Sequence, residues 1–413
     1  MRRLGLYEYI TIMKGNVGVM ILSWVLFGIG WAIVMPYFSL YIKLLGGGDF
    51  GVSLVRSLGV LGAALMTIPG GYLTDKLGRR RLIIPMTWII TLITFLYAIV
   101  PDWITLLILW FIDSTLHFYR PALMTIIVDS LPPHIRARGI ALTMIAPNIP
   151  WLIMPPIGGY LYDLYGIQGI RLGFIIAGIV GLLAASLRTK YLKETYSEYQ
   201  VTGKAKISLR EILHSYIDVY RVVKEAHIGI RVLTLDLLLL SAWAIGFLEA
   251  YGVVYATEYL NITGKEWGVY TALASLSSMI VSIIVLPVLD SMPRKRLLSI
   301  GLLLKTIPYV LLLSLRIKEV MLPILILNTI SSHTILPVAR NSYIGDITPA
   351  SIRGRVISFI NTSAQIGYTW TLLILGYIYS IKALGPYMAI TITLILSIIE
   401  IFYILLFLRE EHR

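Results

Sequence analysis

The chain alternates long apolar stretches with short segments rich in charge, glycine and proline. Stretches such as Leu82 to Val100, Ile167 to Leu187 and Tyr387 to Leu408 approach the roughly 20 residues that a helix needs to cross a hydrocarbon layer about 30 Å thick. Breaking the pattern at turn residues and charge clusters predicts twelve membrane-spanning helices, numbered 1 to 12 along the chain. Their predicted ranges are 17–44, 50–74, 82–100, 102–130, 137–163, 167–187, 229–260, 265–289, 297–315, 320–346, 353–380 and 385–408.

Composition strengthens this prediction. Of the 413 residues, 57% are hydrophobic and 14% are charged, and the mean hydropathy is +0.82. Soluble domains are about half apolar and about a quarter charged. The pattern and the composition therefore predict an all-α integral membrane protein in contact with a lipid bilayer.

The formal net charge is +13, and the positions of the positive residues along the chain indicate the membrane topology. If the amino terminus is cytoplasmic, about 24 of the 35 Lys and Arg fall in inner segments, about 6 in outer segments and about 5 in the helices. This asymmetry predicts a multi-pass protein of the plasma membrane with both termini in the cytoplasm. No nucleic-acid motif accompanies the charge, so no nucleic-acid partner is expected. Cysteine is absent, which excludes disulfides and thiolate metal sites, and we expect neither a metal nor a cofactor.

One segment is repeated along the chain. Asp129-Ser-Leu-Pro-Pro-His-Ile-Arg136 follows helix 4, and Asp346-Ile-Thr-Pro-Ala-Ser-Ile-Arg353 follows helix 10. The offset is 217 residues for the aspartates (129 to 346) and for the arginines (136 to 353), and it also matches Asn148 with Gln365. The repeat predicts two pseudo-symmetric six-helix halves and a cytoplasmic linker between them. These parts are residues 1–187, 229–413 and 188–228.

A finer echo lies within the first half. The segment Gly70-Gly-Tyr-Leu-Thr-Asp75 near the end of helix 2 is similar to Gly158-Gly-Tyr-Leu-Tyr-Asp163 near the end of helix 5. Because helix 2 would end on the inner side and helix 5 on the outer side, the similarity fits an inverted repeat of three plus three helices. Chance similarity of glycine- and tyrosine-rich helices is the alternative.

The inner loop between helices 2 and 3 carries Gly71-Tyr-Leu-Thr-Asp75-Lys-Leu-Gly78-Arg79-Arg-Arg81. Gly78 permits a tight reversal, Asp75 can lie at a helix amino terminus, and the arginines can pair with carboxylates. The segment closely resembles the signature loop of the major facilitator superfamily, and the resemblance covers nearly the whole chain. It implies the major facilitator fold and a monomeric secondary transporter, not an enzyme, that moves a small-molecule solute by alternating access.

The resemblance also implies an inner latch. Asp75 would cap the start of helix 11 near Ile352 to Gly354, and Arg79 would pair with Asp129. A degraded copy in the second half, Asp290-Ser-Met-Pro-Arg294, would face the start of helix 5 in the same way. Breaking and remaking these contacts would bias the rocking of the two halves.

Two other patterns typical of this family match poorly. Many drug and proton antiporters have an arginine in helix 4 where this sequence has Leu109. Of their helix 5 motif, Pro155 and Gly158-Gly159 are present, while Met154 and Trp151 occupy positions usually held by glycine. The resemblance therefore favours export only slightly over uptake.

Polar residues within the predicted helices cost free energy in hydrocarbon, so each needs a partner, water or a function. We predict that several of them border a central cavity and take part in proton coupling or substrate binding. These candidates are Asp113, His117, Arg120, Asn148, Glu249, His333, Arg340 and Gln365. Asp113 is the main candidate for proton coupling, followed by Glu249. The alternatives are hydrogen bonds between helices for the histidines and amides, and snorkelling or pairing with Asp129 and Asp346 for the two arginines.

Other buried charges are predicted to be structural. Lys305 in helix 9 and Glu400 in helix 12 each lie about 13 Å from the inner end of their helix, which predicts an ion pair outside the cavity. Asp236 in helix 7 is expected to pair with Arg231 or with an arginine of an inner loop.

The leading functional hypothesis is proton-linked transport of a small organic solute, with export of an amphipathic compound ahead of uptake of a sugar or metabolite by symport. A polytopic membrane enzyme is the alternative from a different class. Against it, the sequence has no His-Glu-x-x-His helix and no Gly-x-Ser-x-Gly turn. A receptor or a lipid scramblase has no discriminating sequence signal.

Overall fold

A computed structural model describes residues 14–195, 226–289, 292–381 and 384–410, and all regular structure in these ranges is helical. Within these ranges, twelve long helical segments follow one another, several of them built from two consecutive helices. The predicted all-α fold of twelve helices in two halves is therefore confirmed. Their bounds are α1 Gly15–Val34 with shorter turns to residue 47, α2 Gly48–Leu77, α3 Arg79–Tyr97, α4 Trp103–Leu116 and Arg120–Asp129, α5 Arg136–Ile145 and Met154–Tyr165, α6 Ile167–Tyr191, α7 Ile228–Leu239 and Ala242–Tyr259, α8 Gly264–Leu289, α9 Arg294–Ser314, α10 Met321–Thr329 and Leu336–Ile347, α11 Ala350–Tyr379, and α12 Gly385–Phe407.

The helices are suited to a bilayer. In the described ranges, nine helical stretches are long and apolar enough to cross a membrane, and the first of these, Gly15–Thr74, joins α1 to α2. Many large apolar side chains remain exposed around the bundle, as expected where a protein surface faces lipid instead of water.

Proline explains three of the interruptions within helices. A 3₁₀ turn at His117–Tyr119 in α4 directly precedes Pro121, and a longer one at Ala146–Leu152 in α5 contains Pro147 and Pro150. A π-helical turn at Ile330–Ile335 in α10 precedes Pro337. Because proline has no N–H and its ring clashes with the preceding turn, the regular hydrogen-bond ladder is broken beside it. All three irregular turns lie in helices predicted to border the central cavity.

The predicted end of helix 6 is wrong, and the error changes the position of Arg188. Helix α6 continues to Tyr191 instead of ending at residue 187. Arg188 therefore lies in the last turn of a membrane helix, where it is 1% exposed, and not in the linker. The central part of the predicted linker, residues 196–225, lies outside the described residues.

The two halves contact each other along α2 with α11 and along α5 with α8. We call the end of the bundle at which α6 ends and α7 begins the linker end, and the opposite end the far end. Hydrogen bonds between the halves in the described part of the chain run from the far end to about mid-depth, where Thr369 Oγ1 is 3.5 Å from the Ser57 carbonyl oxygen. The halves are thus joined at the far end, and a cavity lies between that closure and the linker end.

Candidate functional site

A cavity of about 720 Å³ lies between the two halves. Its wall carries the predicted residues Arg120 and Glu249 together with Arg56, which was not predicted. The Tyr368 hydroxyl donates a hydrogen bond to Glu249 Oε2 at 2.7 Å. Gln365 also lines this cavity, and its Oε1 is buried and has no hydrogen-bond partner in the part of the chain that the structure describes. The wall therefore combines charged, amide and aromatic groups that could orient an organic solute.

A second cavity of about 460 Å³ lies within the first half, and it shares His117 and Arg120 with the first. Asp113 and Asn148 line it, among several tryptophan rings. The Asp113 side chain is almost fully buried, the Tyr97 hydroxyl lies beside its carboxylate, and its Oδ1 has no hydrogen-bond partner among the residues that the structure describes. An incompletely satisfied buried carboxylate is costly, which is typical of a group that serves function instead of stability.

His117 is bound to its own helix. Its Nδ1 lies 2.7 Å from the Asp113 carbonyl oxygen and 3.9 Å from Asp113 Oδ1. Because a carbonyl oxygen can only accept, Nδ1 must carry the proton in this arrangement. The ring thus links the backbone and the carboxyl group of Asp113 to the cavity wall.

The two repeat-related amides line different cavities: Asn148 lines the cavity within the first half, and Gln365 lines the cavity between the halves. Asn148 Nδ2 donates to the Met144 carbonyl at 2.9 Å, a bond within its own helix. His333, by contrast, lies exposed in the π-helical turn of α10 and forms no hydrogen bond or ion pair with any part of the chain that the structure describes. Its predicted role stays a prediction.

Lys305 and Glu400 are brought together in the second half. Both side chains are fully buried, and Lys305 Nζ lies 2.6 Å from Oε2 and 2.8 Å from Oε1 of Glu400. Arg340 joins them: its Nη2 is 3.8 Å from Glu400 Oε1, 3.4 Å from Asp236 Oδ2 and 2.5 Å from Ser241 Oγ. We refer to Asp236, Lys305, Arg340 and Glu400 as the buried charge network.

This network corrects two predicted pairings. Asp236 pairs with Arg340, and the predicted partner Arg231 is wrong. Arg340 does not pair with Asp346, which instead accepts a hydrogen bond from Arg294 Nε at 2.9 Å. The break in α7 between Leu239 and Ala242 explains the geometry, because it turns the Ser241 carbonyl and hydroxyl oxygens toward Lys305 and Arg340. Arg340 is therefore committed to neighbouring helices.

The far end is closed by a helix cap that joins the halves. Asp163, at the end of α5, accepts hydrogen bonds from the backbone N–H groups of Gly264 at 2.7 Å and Lys265 at 2.8 Å. The next two N–H groups of α8 are bonded to Thr263, through Oγ1 at 3.1 Å and through the carbonyl at 2.9 Å. A carboxylate from one half thus completes the amino terminus of a helix in the other half, where the helix dipole favours negative charge.

Close backbone approach supports this cap. A Cβ added to Gly159 would collide with the Gly264 carbonyl, so only glycine permits α5 and α8 to meet here. The Tyr37 hydroxyl donates to the Pro155 carbonyl at 2.6 Å and lies 3.1 Å from the Gly264 carbonyl oxygen. Tyr37 is buried between α5 and α8 by these contacts.

A second set of contacts closes α1 and α2 against α7. Lys43 Nζ lies 2.6 Å from Asp49 Oδ1 and 2.7 Å from Glu258 Oε1, and the Tyr251 hydroxyl donates to the Asp49 carbonyl at 3.0 Å. One lysine therefore bridges carboxylates of both halves.

At the linker end, the predicted latch residues form pairs within each half. Arg79 Nε lies 3.3 Å from Asp129 Oδ2, and the equivalent Arg294 pairs with Asp346 in the other half. Gly78 has a φ of 85° at the start of α3, where few residues other than glycine are tolerated. The side chain of Asp75 and the whole of Asp290 lie outside the described residues, so their roles stay predictions.

Several residues were not predicted, among them the charged residues Arg56, Asp163 and Arg188. The glycine and tyrosine echo between α2 and α5 contained the signal for Asp163, because it aligned Asp163 with the latch residue Asp75. Arg188 was missed because the predicted helix ended one residue before it.

The comparison with known families agrees with this architecture. The model of the Major Facilitator Superfamily matches residues 20–257 and 237–413, which together cover most of the chain. The chain belongs to the major facilitator superfamily. The predicted resemblance is thereby confirmed, and the protein is a multi-pass membrane transporter of small molecules, not an enzyme.

Curated relatives within the superfamily include efflux pumps. The chain is 24% identical to the multi-drug resistance efflux pump PmrA homolog of Lactococcus lactis over 382 residues, covering 90% of this chain and 91% of that protein. It is 27% identical to the efflux pump PmrA of Streptococcus pneumoniae over 191 residues, which is 45% of this chain and only 46%, about half, of that relative. The quinolone resistance protein NorA of Staphylococcus aureus is 27% identical over 159 residues, covering 38% and 39% of the two chains.

Solved structures share the fold. The nucleoside transporter NupG superposes with a TM-score of 0.76 at 13% identity, covering 95% of this chain and all of that one. A bacterial homolog of the human lysosomal transporter Spinster superposes with a TM-score of 0.73 at 17% identity, with coverage of 97% and 96%. At such identities these superfamily members support the fold alone.

Proposed function

We propose that this superfamily member exports amphipathic organic solutes by alternating access, in exchange for protons. The observation that carries the proposal is the cavity between the halves together with the cavity that adjoins it. The wall of the adjoining cavity contains Asp113, whose carboxylate is buried and incompletely hydrogen-bonded. Curated relatives named as multidrug efflux pumps favour export over uptake. Aromatic rings beside charged groups suit a solute that has an apolar body and a polar end.

The positive residues support an orientation with the linker end in the cytoplasm. In that orientation, the closed far end faces outward and the cavity is accessible from the cytoplasm. A solute would enter there, and its release would require the far-end contacts to open while the linker end closes.

The two ends would then use the same device in alternation. Asp163 caps α8 of the other half at the far end, and Asp75 is its counterpart in the inverted repeat at the linker end. We infer that Asp75 caps the amino terminus of α11 when the cavity faces outward. Each state would hold one charged helix cap, so exchanging one cap for the other keeps the two states close in free energy.

Transport can be tested without knowing the substrate. Purified protein in liposomes that contain the pH dye pyranine would be exposed to a panel of amphipathic cations, anions and neutral compounds. We expect at least one compound to drive proton movement in the direction opposite to its own, and not in protein-free liposomes. If no compound moves protons or exchanges in counterflow, the proposal is contradicted.

Replacing the far-end cap should shift the protein toward its outward-open state. In Asp163→Asn the side chain keeps one acceptor oxygen and loses its charge, which costs about 1–2 kcal/mol of closure and so changes the ratio of states roughly tenfold. The cysteine-free chain allows spin labels at two exposed far-end positions, Leu164→Cys and Ile317→Cys, one in each half. The distance distribution between them should gain a longer component.

Asp102→Asn is the matched control. Asp102 caps α4 at the same end of the bundle, with Oδ1 accepting from the Thr105 N–H at 2.8 Å, but both residues belong to one half. Its distance distribution should equal that of the parent. An unchanged distribution in Asp163→Asn would mean that the cap does not hold the far end closed.

The sequence-based latch makes the opposite prediction for Asp75→Asn. Loss of this cap should disfavour the outward-facing state and slow transport, while the protein still folds and keeps its far-end distances short. If purified Asp75→Asn protein transports at the parent rate, the latch is contradicted and the basic loop only sets the membrane topology.

A further inference from the structure

Arg188 is a buried cation without a buried anion beside it. Its Nε donates to Ser23 Oγ at 3.0 Å, its Nη1 donates to Thr87 Oγ1 at 2.9 Å, and its guanidinium lies 5.1 Å from the centre of the Phe27 ring. The Tyr119 hydroxyl is also adjacent. No carboxylate in the described part of the chain forms an ion pair with Arg188, whose positive charge there contacts neutral hydroxyl groups and an aromatic ring.

The buried cations Lys305 and Arg340 of the second half differ from Arg188 because each has a carboxylate partner. Lys305 contacts Glu400 through both carboxylate oxygens, and Arg340 contacts Asp236. A charge held in a membrane helix without a counter-charge is costly, and the cost falls when an anion arrives. Arg188 therefore has the character of a binding group, not of a completed structural pair.

The cavity beside Arg188 points to the same chemistry. It has a volume of about 340 Å³, and Arg120 lines it together with Arg188. Arg120 is exposed there and forms no hydrogen bond or ion pair with the residues that the structure describes. No acidic residue in the described chain lines this cavity, whose remaining wall is largely aromatic and apolar. Two like charges at one small cavity repel each other, and an anion between them relieves that repulsion.

We propose that this cavity binds the anionic group of an amphipathic aromatic acid, such as a carboxylate or a sulfonate. The planar guanidinium groups of Arg120 and Arg188 match such groups in shape and charge. The rings of Trp24, Phe27 and Trp31 receive the apolar body, and the neighbouring cavity that contains Asp113 shares these three residues. The volume is at the lower end of the range of roughly 300–1,000 Å³ that ligand pockets have. This inference rests on the proposed function, because it names the substrate class of the same transport cavity.

Three matched probes test the charge preference: 2-naphthoate, 2-naphthamide and 2-naphthylmethylammonium. They share one ring system and differ in charge, and their binding to purified protein in nanodiscs would be measured by calorimetry. We expect the anion to bind about tenfold more tightly than the neutral amide, and the cation to bind most weakly. Equal or weaker binding of the anion would overturn the inference.

Variants test the site. Arg120→Gln and Arg188→Gln should each reduce the preference for the anion about tenfold, while Arg188→Lys, which keeps the charge and guards against a folding defect, should retain most of it. Lys190→Gln is the matched control, since Lys190 is exposed at the end of the same helix and contacts the Tyr191 ring. An anion preference that survives both glutamine variants would overturn the assignment of the site.

The anion could come from solution or from a lipid headgroup. Nanodiscs of phosphatidylcholine and nanodiscs containing phosphatidylglycerol separate the two sources, because a lipid anion in the site would weaken naphthoate binding only in the second. Both results support anion recognition. If the cation or the amide drives proton movement in liposomes and naphthoate neither binds nor moves, the anion inference fails while the proposed transport function stands. If none of the three probes binds, the anion inference is overturned as well.

Discussion

Replacing Lys305 by methionine should strongly destabilise the protein. The lysine is fully buried and bonds both oxygens of Glu400 within 2.8 Å, so its removal leaves an ionised carboxylate in the helix bundle. Removing one partner of a buried ion pair costs about 3–5 kcal/mol. Arg340 Nη2 lies 3.8 Å from Glu400 and offers only partial compensation. We expect the apparent melting temperature in detergent to fall by about 10 °C, measured by intrinsic tryptophan fluorescence.

Two further variants identify the cause. Lys305→Met combined with Glu400→Leu should recover most of the lost stability, because the uncompensated charge is then absent. Lys318→Met removes an exposed lysine that lies 3.2 Å from Glu266, and it should leave the melting temperature unchanged. A Lys305→Met protein that melts like the parent, or a double variant that melts no higher than the single one, would contradict a structural role for this pair.

This pair also illustrates what the sequence could predict. Depth in the membrane follows from counting residues along a helix at 1.5 Å each, so Lys305 and Glu400 could be matched in depth before their structure was known. Counting residues did not predict which way a side chain points around the helix axis, or where a helix is interrupted. Arg340 and Asp236 join the network because α7 is interrupted at Ser241, and no pattern in the sequence predicted that interruption.

The same limit applies to the cavity. Apolar length predicted the twelve helices, but the position of Asp113 in helix 4 did not distinguish the cavity between the halves from the cavity within the first half that Asp113 lines. The 3₁₀ turn that follows it sets where His117 points, and it depends on local backbone geometry beside Pro121. Arg188 was not predicted as a buried residue because the predicted end of α6 was four residues too early. The sequence pattern of a charge cluster at a helix end is the same whether the cluster lies inside or outside the bundle.

The proposed proton coupling depends on Asp113. Its side chain is almost fully buried, its Oδ1 lacks a hydrogen-bond partner within the described ranges, and His117 and the Tyr97 hydroxyl lie beside it. Asp113 and Arg120 line the same cavity, so an arriving solute and a proton would act on one set of groups. Alternating access, as proposed above, would wet the cavity from one end at a time, so the exchange of the Asp113 proton with water would follow the state of the transporter.

Asp113→Asn should therefore abolish proton-driven transport and leave exchange of solute between equal pools measurable. Asparagine has nearly the same shape and carries no exchangeable charge, whereas counterflow of solute need not return a proton. Solute accumulation under an imposed pH gradient should fall to the level of protein-free liposomes, while counterflow stays close to that of the parent. Asp102→Asn, in the cap of the same helix, is the control and should keep both activities.

Glu249→Gln tests the second carboxylate. Because Glu249 lies in the wider cavity and accepts a hydrogen bond from Tyr368, we expect that variant to weaken solute binding more than proton coupling. Proton-driven accumulation at the parent rate in Asp113→Asn would transfer the coupling role to Glu249, or remove proton coupling from the mechanism if Glu249→Gln also accumulated solute normally.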